Sequence, residues 1–101
     1  MNAYDIDGVL SKYSYVLHPQ DIIVTGRSYE EAPETYMQLH KLGYYNAVYF
    51  NPVPFFDKSL ENSGEWKLEI AKRFNVDRFF EDNEIQQEIL EKGGIHVIRV
   101  S

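Results

Sequence analysis

Short apolar runs rich in β-branched and aromatic residues alternate along this chain with segments of helical period, and that alternation constrains the fold more than any other feature. The pattern predicts a strand over Asn2–Ile6, broken at Asp7 and Gly8, and a second over Asp21–Thr25, stopped by Gly26. Ser28 caps a predicted helix that carries Glu30, Glu31 and Pro33 early, runs to Lys41 and Leu42, and stops at Gly43. Ala32, Tyr36 and Leu39 fall on its inner face. Tyr45–Phe50 reads as the next strand, ended by Asn51-Pro52-Val53-Pro54 because proline cannot donate to a ladder. Ser63 starts a second predicted helix with Trp66, Ile70 and Phe74 as its core stripe, closed by Asn75. Arg78–Glu81 is a brief strand, Glu84–Lys92 a third helix with Ile85 and Ile89 inward, and Gly93 and Gly94 precede a last strand at Ile95–Val100. Helices set between apolar runs demand parallel strands and crossover connections. The expected architecture is therefore α/β, a three-layer α/β/α sandwich around a small parallel sheet of about five strands.

At 101 residues the expectation is one domain, residues 1–101. Hydrophobic positions make up 44% and aromatic ones 15%, enough for a packed core and too many for a disordered chain. The absence of cysteine excludes disulfides, thiolate metal sites and thiol catalysis. Sixteen acidic residues against ten basic give a net charge of −6, which disfavours binding along a long nucleic acid, where clustered Lys and Arg release counterions. An acidic chain can still reach a nucleotide through a cation. No apolar run approaches the roughly 20 residues of a membrane span, and residues 1–20 lack the charged start and apolar block of a signal peptide. The expectation is a cytoplasmic protein without membrane contact.

In open parallel sheets ligands bind beyond the carboxyl ends of the strands, where the winding direction reverses. The first predicted strand carries Asp5 and Asp7 at that end, the second Thr25, Gly26 and Arg27, and the fourth Glu81 and Asp82. On an extended strand Asp5 and Asp7 would leave the same face, roughly 6–7 Å apart. Up to four carboxyl groups in one crevice repel one another unless a proton or a cation intervenes. Oxygen ligands alone, with no cysteine and no paired histidine, suit Mg²⁺ rather than zinc or a redox metal. His18, His40 and His96 follow no ligand spacing and are read as structural or solvent-facing.

Asp5-Ile6-Asp7-Gly8-Val9-Leu10 resembles the Asp-x-Asp-Gly-(Val/Thr)-Leu signature of the haloacid dehalogenase-like (HAD) superfamily of phosphoryl-transfer enzymes. Val24-Thr25-Gly26-Arg27 is similar to its second motif, Lys67 to its third, the basic residue, and Phe79-Phe80-Glu81-Asp82-Asn83 to its fourth, the acidic pair. The motifs stand in the family's order and cover nearly the whole chain. The resemblance implies that Asp5 is the nucleophile of an aspartyl-phosphate pathway and that Asp7 is the acid/base. It also implies that Mg²⁺ is bound by Asp5, the Asp7 carbonyl and Asp82, with Glu81 as a further candidate. Thr25, the Gly26 amide and Lys67 would bind the phosphoryl oxygens, and Gly8 would let the backbone approach the phosphate.

Lys58 competes with Lys67 for the basic role, and either Glu81 or Asp82 could ligate the metal directly. Arg27 reads as a salt-bridge partner more readily than as a substrate ligand. The gaps after Leu10 and after the third predicted strand are too short to fold into a cap domain, which takes tens of residues. A capless member implies an open site for a phosphorylated small molecule, a nucleotide or a macromolecular end, with the 51–63 loop as a possible contact between copies. The expected activity is Mg²⁺-dependent phosphomonoester hydrolysis. The rival readings are a phosphoryl-binding or assembly module of the same fold, and a phosphotransferase.

Overall fold

The structure, a computed structural model, describes residues 1–100. Five strands form one parallel sheet: β1 (Asn2–Tyr4), β2 (Ile22–Ser28), β3 (Val48–Asn51), β4 (Arg78–Glu81) and β5 (Val97–Arg99). Three helices lie between them in sequence, α1 (Ala32–Lys41), α2 (Leu60–Arg73) and α3 (Glu84–Lys92). The sheet order is β3-β2-β1-β4-β5. The chain thus winds outward from β1 to β3 and then returns across β1 to start the other half, so the winding reverses between β1 and β4.

Alternation along the strands separates two apolar layers. Ala3, Ile22, Val24, Phe79 and Val97 pack with Ile70 and Ala71 of α2 and Leu90 of α3 on one face. Tyr4 and Ile23 pack with Val9, Leu10 and Leu39 of α1 on the other. Tyr4 stacks on Phe80 at 4.5 Å between ring centroids, with Tyr15 tilted against Tyr4 at 5.4 Å. Helices therefore cover both faces of the sheet, as the alternating pattern demands. Among the described residues no helix is long and apolar enough to cross a membrane.

Several boundaries differ from the sequence expectation. β1 ends at Tyr4 rather than Ile6, and the chain turns through a wide helical turn at Ile6–Leu10 with Asp7 at φ −66°, ψ 122° and Gly8 at φ +77°. Asp5 and Asp7 consequently do not share an extended strand, and the same-face spacing does not apply. β2 continues past Gly26 to Ser28, and β3 starts only at Val48, leaving Tyr45 exposed. Ser28 precedes a short turn, Tyr29–Glu31, whose Glu31 carboxylate accepts the Ser28 N–H at 2.8 Å before α1 begins. On α1 the inward residues are Thr35 and Leu39, while Tyr36 is 40% exposed. On α3 the buried positions are Gln86 and Leu90, and Ile85 is exposed.

The largest shift is at α2, which starts at Leu60 and not at Ser63. Ser59 and Asn62 form a reciprocal cap: the Asn62 N–H donates to Ser59 Oγ at 3.1 Å and the Ser59 N–H to Asn62 Oδ1 at 3.0 Å. Lys67 therefore sits two turns inside the helix rather than at its start. Asn75 closes the helix as expected, in the left-handed region at φ +52°. Residues 11–21 hold no strand or helix, and residues 52–59 hold only the turn Phe55–Asp57.

Candidate active site

Asp5 follows β1 and Glu81 ends β4, the two strands between which the winding reverses, and the Asp5 N–H is tied to the Phe80 carbonyl at 3.1 Å. Lys67 reaches the same point from α2. Its ammonium lies 3.2 Å from Asp5 Oδ1, 2.6 Å from Glu81 Oε1 and 2.5 Å from Gln86 Oε1. All four side chains are buried, with residue exposures of 5% or less. Hydrogen bonds to Glu81 and Gln86 and the ion pair with Asp5 hold the ammonium in place. Glu81 is equally committed, because its other oxygen, Oε2, accepts the N–H groups of Asp82 and Asn83 at 3.0 and 3.2 Å.

One cation thus faces two buried carboxylates. Burial drives the Asp5 carboxyl well above the usual carboxylate range, against the pull of Lys67, and the neighbouring Glu81 charge pushes it further. Glu81 is driven up by burial too, but Lys67 and hydrogen bonds from Asp5, Lys67 and the backbone hold it below its ordinary value. Of the pair, Asp5 is therefore the carboxyl that holds a proton more readily. Lys67 is kept charged, since Asp5 and Glu81 outweigh the burial that would neutralise it. Asp82, beside the pair, is raised by its own partial burial and by the Glu81 charge.

The Asp82 carboxylate stands over Gly8. A Cβ at position 8 would lie 1.8 Å from Asp82 Oδ2, so the residue there must be glycine both for space and for its φ of +77°. The close approach that glycine permits is to this carboxylate. Asp5, Glu81 and Asp82 each offer an oxygen within 4.8 Å of the others. Asp7 does not join them. Its carboxylate turns to Arg27, which donates from Nη2 to Oδ1 at 2.7 Å and from Nε to Oδ2 at 3.1 Å. Arg27 is anchored in turn on α1, through Thr35 Oγ1 at 3.1 Å and Gln38 Oε1 at 2.9 Å. The arginine's hydrogen bonds hold the Asp7 carboxyl below its ordinary value.

These groups open on a cavity of about 570 Å³ lined by Asp5, Asp7, Gly8, Gly26, Arg27, Lys58, Ser63, Lys67, Glu81, Asp82 and Gln86, among others. Lys67 and Lys58 both line it, and Lys58 pairs with Glu31 at 2.6 Å. Thr25 is fully buried and does not line the cavity; its Oγ1 accepts the Arg27 N–H at 3.1 Å. The structure therefore brings Asp5, Gly26, Lys67, Glu81 and Asp82 together, keeps Asp7 at the cavity in a separate ion pair, and leaves Thr25 behind the wall.

Two lining residues, Ser63 and Gln86, are not signalled by the apolar periodicity, since both are polar residues inside helices. The spacing of Ser63 and Lys67, four apart, is the signal that could have found the first, because it places both on one helix face. Comparison with protein-family models, with curated proteins and with solved structures gives no match.

Proposed function

We propose that this protein is an Mg²⁺-dependent phosphomonoester hydrolase of the HAD type that works through an aspartyl-phosphate on Asp5. The observation that carries the reading is the Asp5 carboxylate at the reversal point of the sheet, between a fixed ammonium and two further carboxylates. The donor set fits a hard divalent cation: it is all oxygen, and three acidic groups face one lysine. Glu81 has spent its oxygens on Lys67 and two backbone amides, so Asp5 and Asp82 would hold the ion, and Glu81 would orient Lys67. Mg²⁺ would supply charge neutralisation between the anionic nucleophile and an anionic phosphate.

The chain's own residues then divide the work. Ionised Asp5 attacks phosphorus, forming an O–P bond as the ester O–P bond breaks. Asp7 gives a proton to the departing oxygen and later takes one from the water that cleaves the acyl phosphate. The Gly26 N–H and Lys67 bear on the phosphoryl oxygens. Because Arg27 holds Asp7 ionised, that bridge must loosen before Asp7 can carry a proton. The same bridge favours one rival, a phosphoryl-binding module in which Asp7 only organises the rim.

Release of phosphate from an aryl phosphate, with and without Mg²⁺, tests the reading. Activity should need Mg²⁺ and vanish in Asp5→Asn; retained activity in that variant rules the mechanism out. Tight fluoroberyllate binding with no turnover on a phosphoester panel would favour the binding module. Transfer of the phosphoryl group to an added alcohol in preference to water would identify a phosphotransferase.

A further inference from the structure

We propose that Ser63 is a phosphoryl-binding residue whose hydroxyl, aimed by Asn51, donates to an oxygen seated beside Gly26 and Lys67. The inference rests on the phosphomonoester reading and adds to that site a neutral donor from α2. Ser63 is 5% exposed, yet it lines the cavity one helical turn before Lys67. Asn51, fully buried at the end of β3, determines where its hydrogen points.

The Asn51 side-chain oxygen accepts the Val53 N–H at 3.0 Å, and only the oxygen of an amide can do so. The amide orientation is thereby fixed, and Nδ2 faces the Gly26 carbonyl at 3.5 Å, Asn62 Oδ1 at 3.4 Å and Ser63 Oγ at 3.4 Å. Toward Ser63 the amide can only donate, so the hydroxyl oxygen is the acceptor and keeps its own proton. Among the described residues that proton has no acceptor. A buried donor left unmet is costly, and the open side of Ser63 is the cavity.

Gly26 makes the placement possible. A Cβ there would lie 2.7 Å from Ser63 Oγ and 2.8 Å from Ser63 Cβ, so any larger residue would displace the hydroxyl. Ser63 and the Gly26 backbone thus meet at the cavity wall, with Lys67 one turn deeper. Thr25, whose hydroxyl is buried and accepts the Arg27 N–H, does not reach this space. A tetrahedral anion presents several oxygens, and a hydroxyl beside a backbone N–H and an ammonium supplies the neutral donor that such a cradle needs.

The test is a calorimetric titration of the full chain with inorganic phosphate in the presence of Mg²⁺, and separately with Mg²⁺ alone. Ser63→Ala and Ser63→Cys, the second nearly isosteric but a poor donor, should each weaken phosphate binding about tenfold or more. Both should bind Mg²⁺ as the unaltered protein does. Phosphate affinity within about twofold of the unaltered protein in either variant overturns the assignment, particularly if Thr25→Ala shows the loss instead. A parallel loss of Mg²⁺ binding would make Ser63 a structural residue and overturn it as well. Failure of the unaltered protein to bind phosphate with Mg²⁺ present would remove the phosphomonoester reading itself, a result distinct from either of these.

Discussion

Asp5 is both the proposed nucleophile and the residue whose ionisation the metal-free fold opposes, and the two properties separate experimentally. Burial raises its carboxyl well above the usual range, so its folded-state affinity for a proton exceeds that in the unfolded chain. A group raised in this way supports folding at pH below its unfolded value and loses that support as pH rises toward the folded one. Asp5→Asn removes the proton requirement. Without metal the variant should therefore be more stable than the unaltered protein at pH 8, with a smaller difference at pH 4, although it is inactive. Urea denaturation at both pH values measures this, and a variant less stable at pH 8 would contradict a protonated Asp5. Asp7 has the opposite shift, since Arg27 lowers it. Replacing the guanidinium by a neutral amide in Arg27→Gln should let the Asp7 carboxyl rise toward its ordinary value. If Asp7 must be protonated to release the leaving group, the alkaline limb of kcat then moves to higher pH, and an unmoved limb would deny Asp7 that role. At this scale the sequence exposes the acids and Lys67, because each sits in a motif or ends an apolar run. It does not expose Ser63 and Gln86, since a polar residue inside a helix carries no periodic signal until the helix face it shares with Lys67, or the lysine's neutral acceptor, is known.

The order and type of the strands and helices are legible from the alternation of period, whereas their ends follow hydrogen bonds that periodicity does not register. α3 has the expected bounds because Asn83 caps it and Gly93 follows it. α2 begins earlier than its apolar stripe suggests because Ser59 and Asn62 cap each other, and that extra turn is what brings Ser63 into the site. β1 is shorter than its apolar run because the chain must turn at Asp5 to bring Gly8 beneath Asp82. The turn Ile6–Leu10 is therefore the element on which the carboxylate cluster depends, and Gly8→Ala tests it. A Cβ at φ +77° costs about 1–2 kcal/mol in itself, and here it would also meet Asp82 Oδ2 at 1.8 Å. Gly94, at φ +90° with no atom within 4 Å of the corresponding position, provides the control. Gly94→Ala should lose only the conformational part, about 1 kcal/mol, with Mg²⁺ binding intact. Gly8→Ala should lose more stability and most of its Mg²⁺ affinity, because the displaced carboxylate is one of the proposed ligands. Equal losses in both variants, with metal binding unchanged, would mean that Asp82 is not held by the Ile6–Leu10 turn for that purpose.

Over the whole molecule, three of the sixteen acidic residues acquire a common location. Asp5, Glu81 and Asp82 are gathered at the reversal point of a sheet whose two halves come from opposite ends of the chain, and Lys67 is the cation buried among them. Asp5 and Asp82 are far apart in sequence and meet only when β1 pairs with β4. The unfolded chain has no such site, so a cation that binds there stabilises the folded state by mass action. At about one hundred times its dissociation constant a single ion contributes about 2.7 kcal/mol. In a chain of this size each kcal/mol moves Tm by about 4–8 °C, so Mg²⁺ at saturation should raise Tm by about 10–20 °C. Ionic screening alone gives a different pattern, because it acts on the whole surface charge and is reproduced by a monovalent salt at equal ionic strength. The comparison is a thermal melt in Mg²⁺ against one in NaCl of matched ionic strength, for the unaltered protein and for Asp82→Asn. A Tm rise specific to Mg²⁺ and lost in Asp82→Asn places the ion on the cluster. A Tm that responds equally to both salts, or a rise that survives in Asp82→Asn, means that Lys67 and the Asp5 proton already suffice to balance these carboxylates and that the site does not use a metal there.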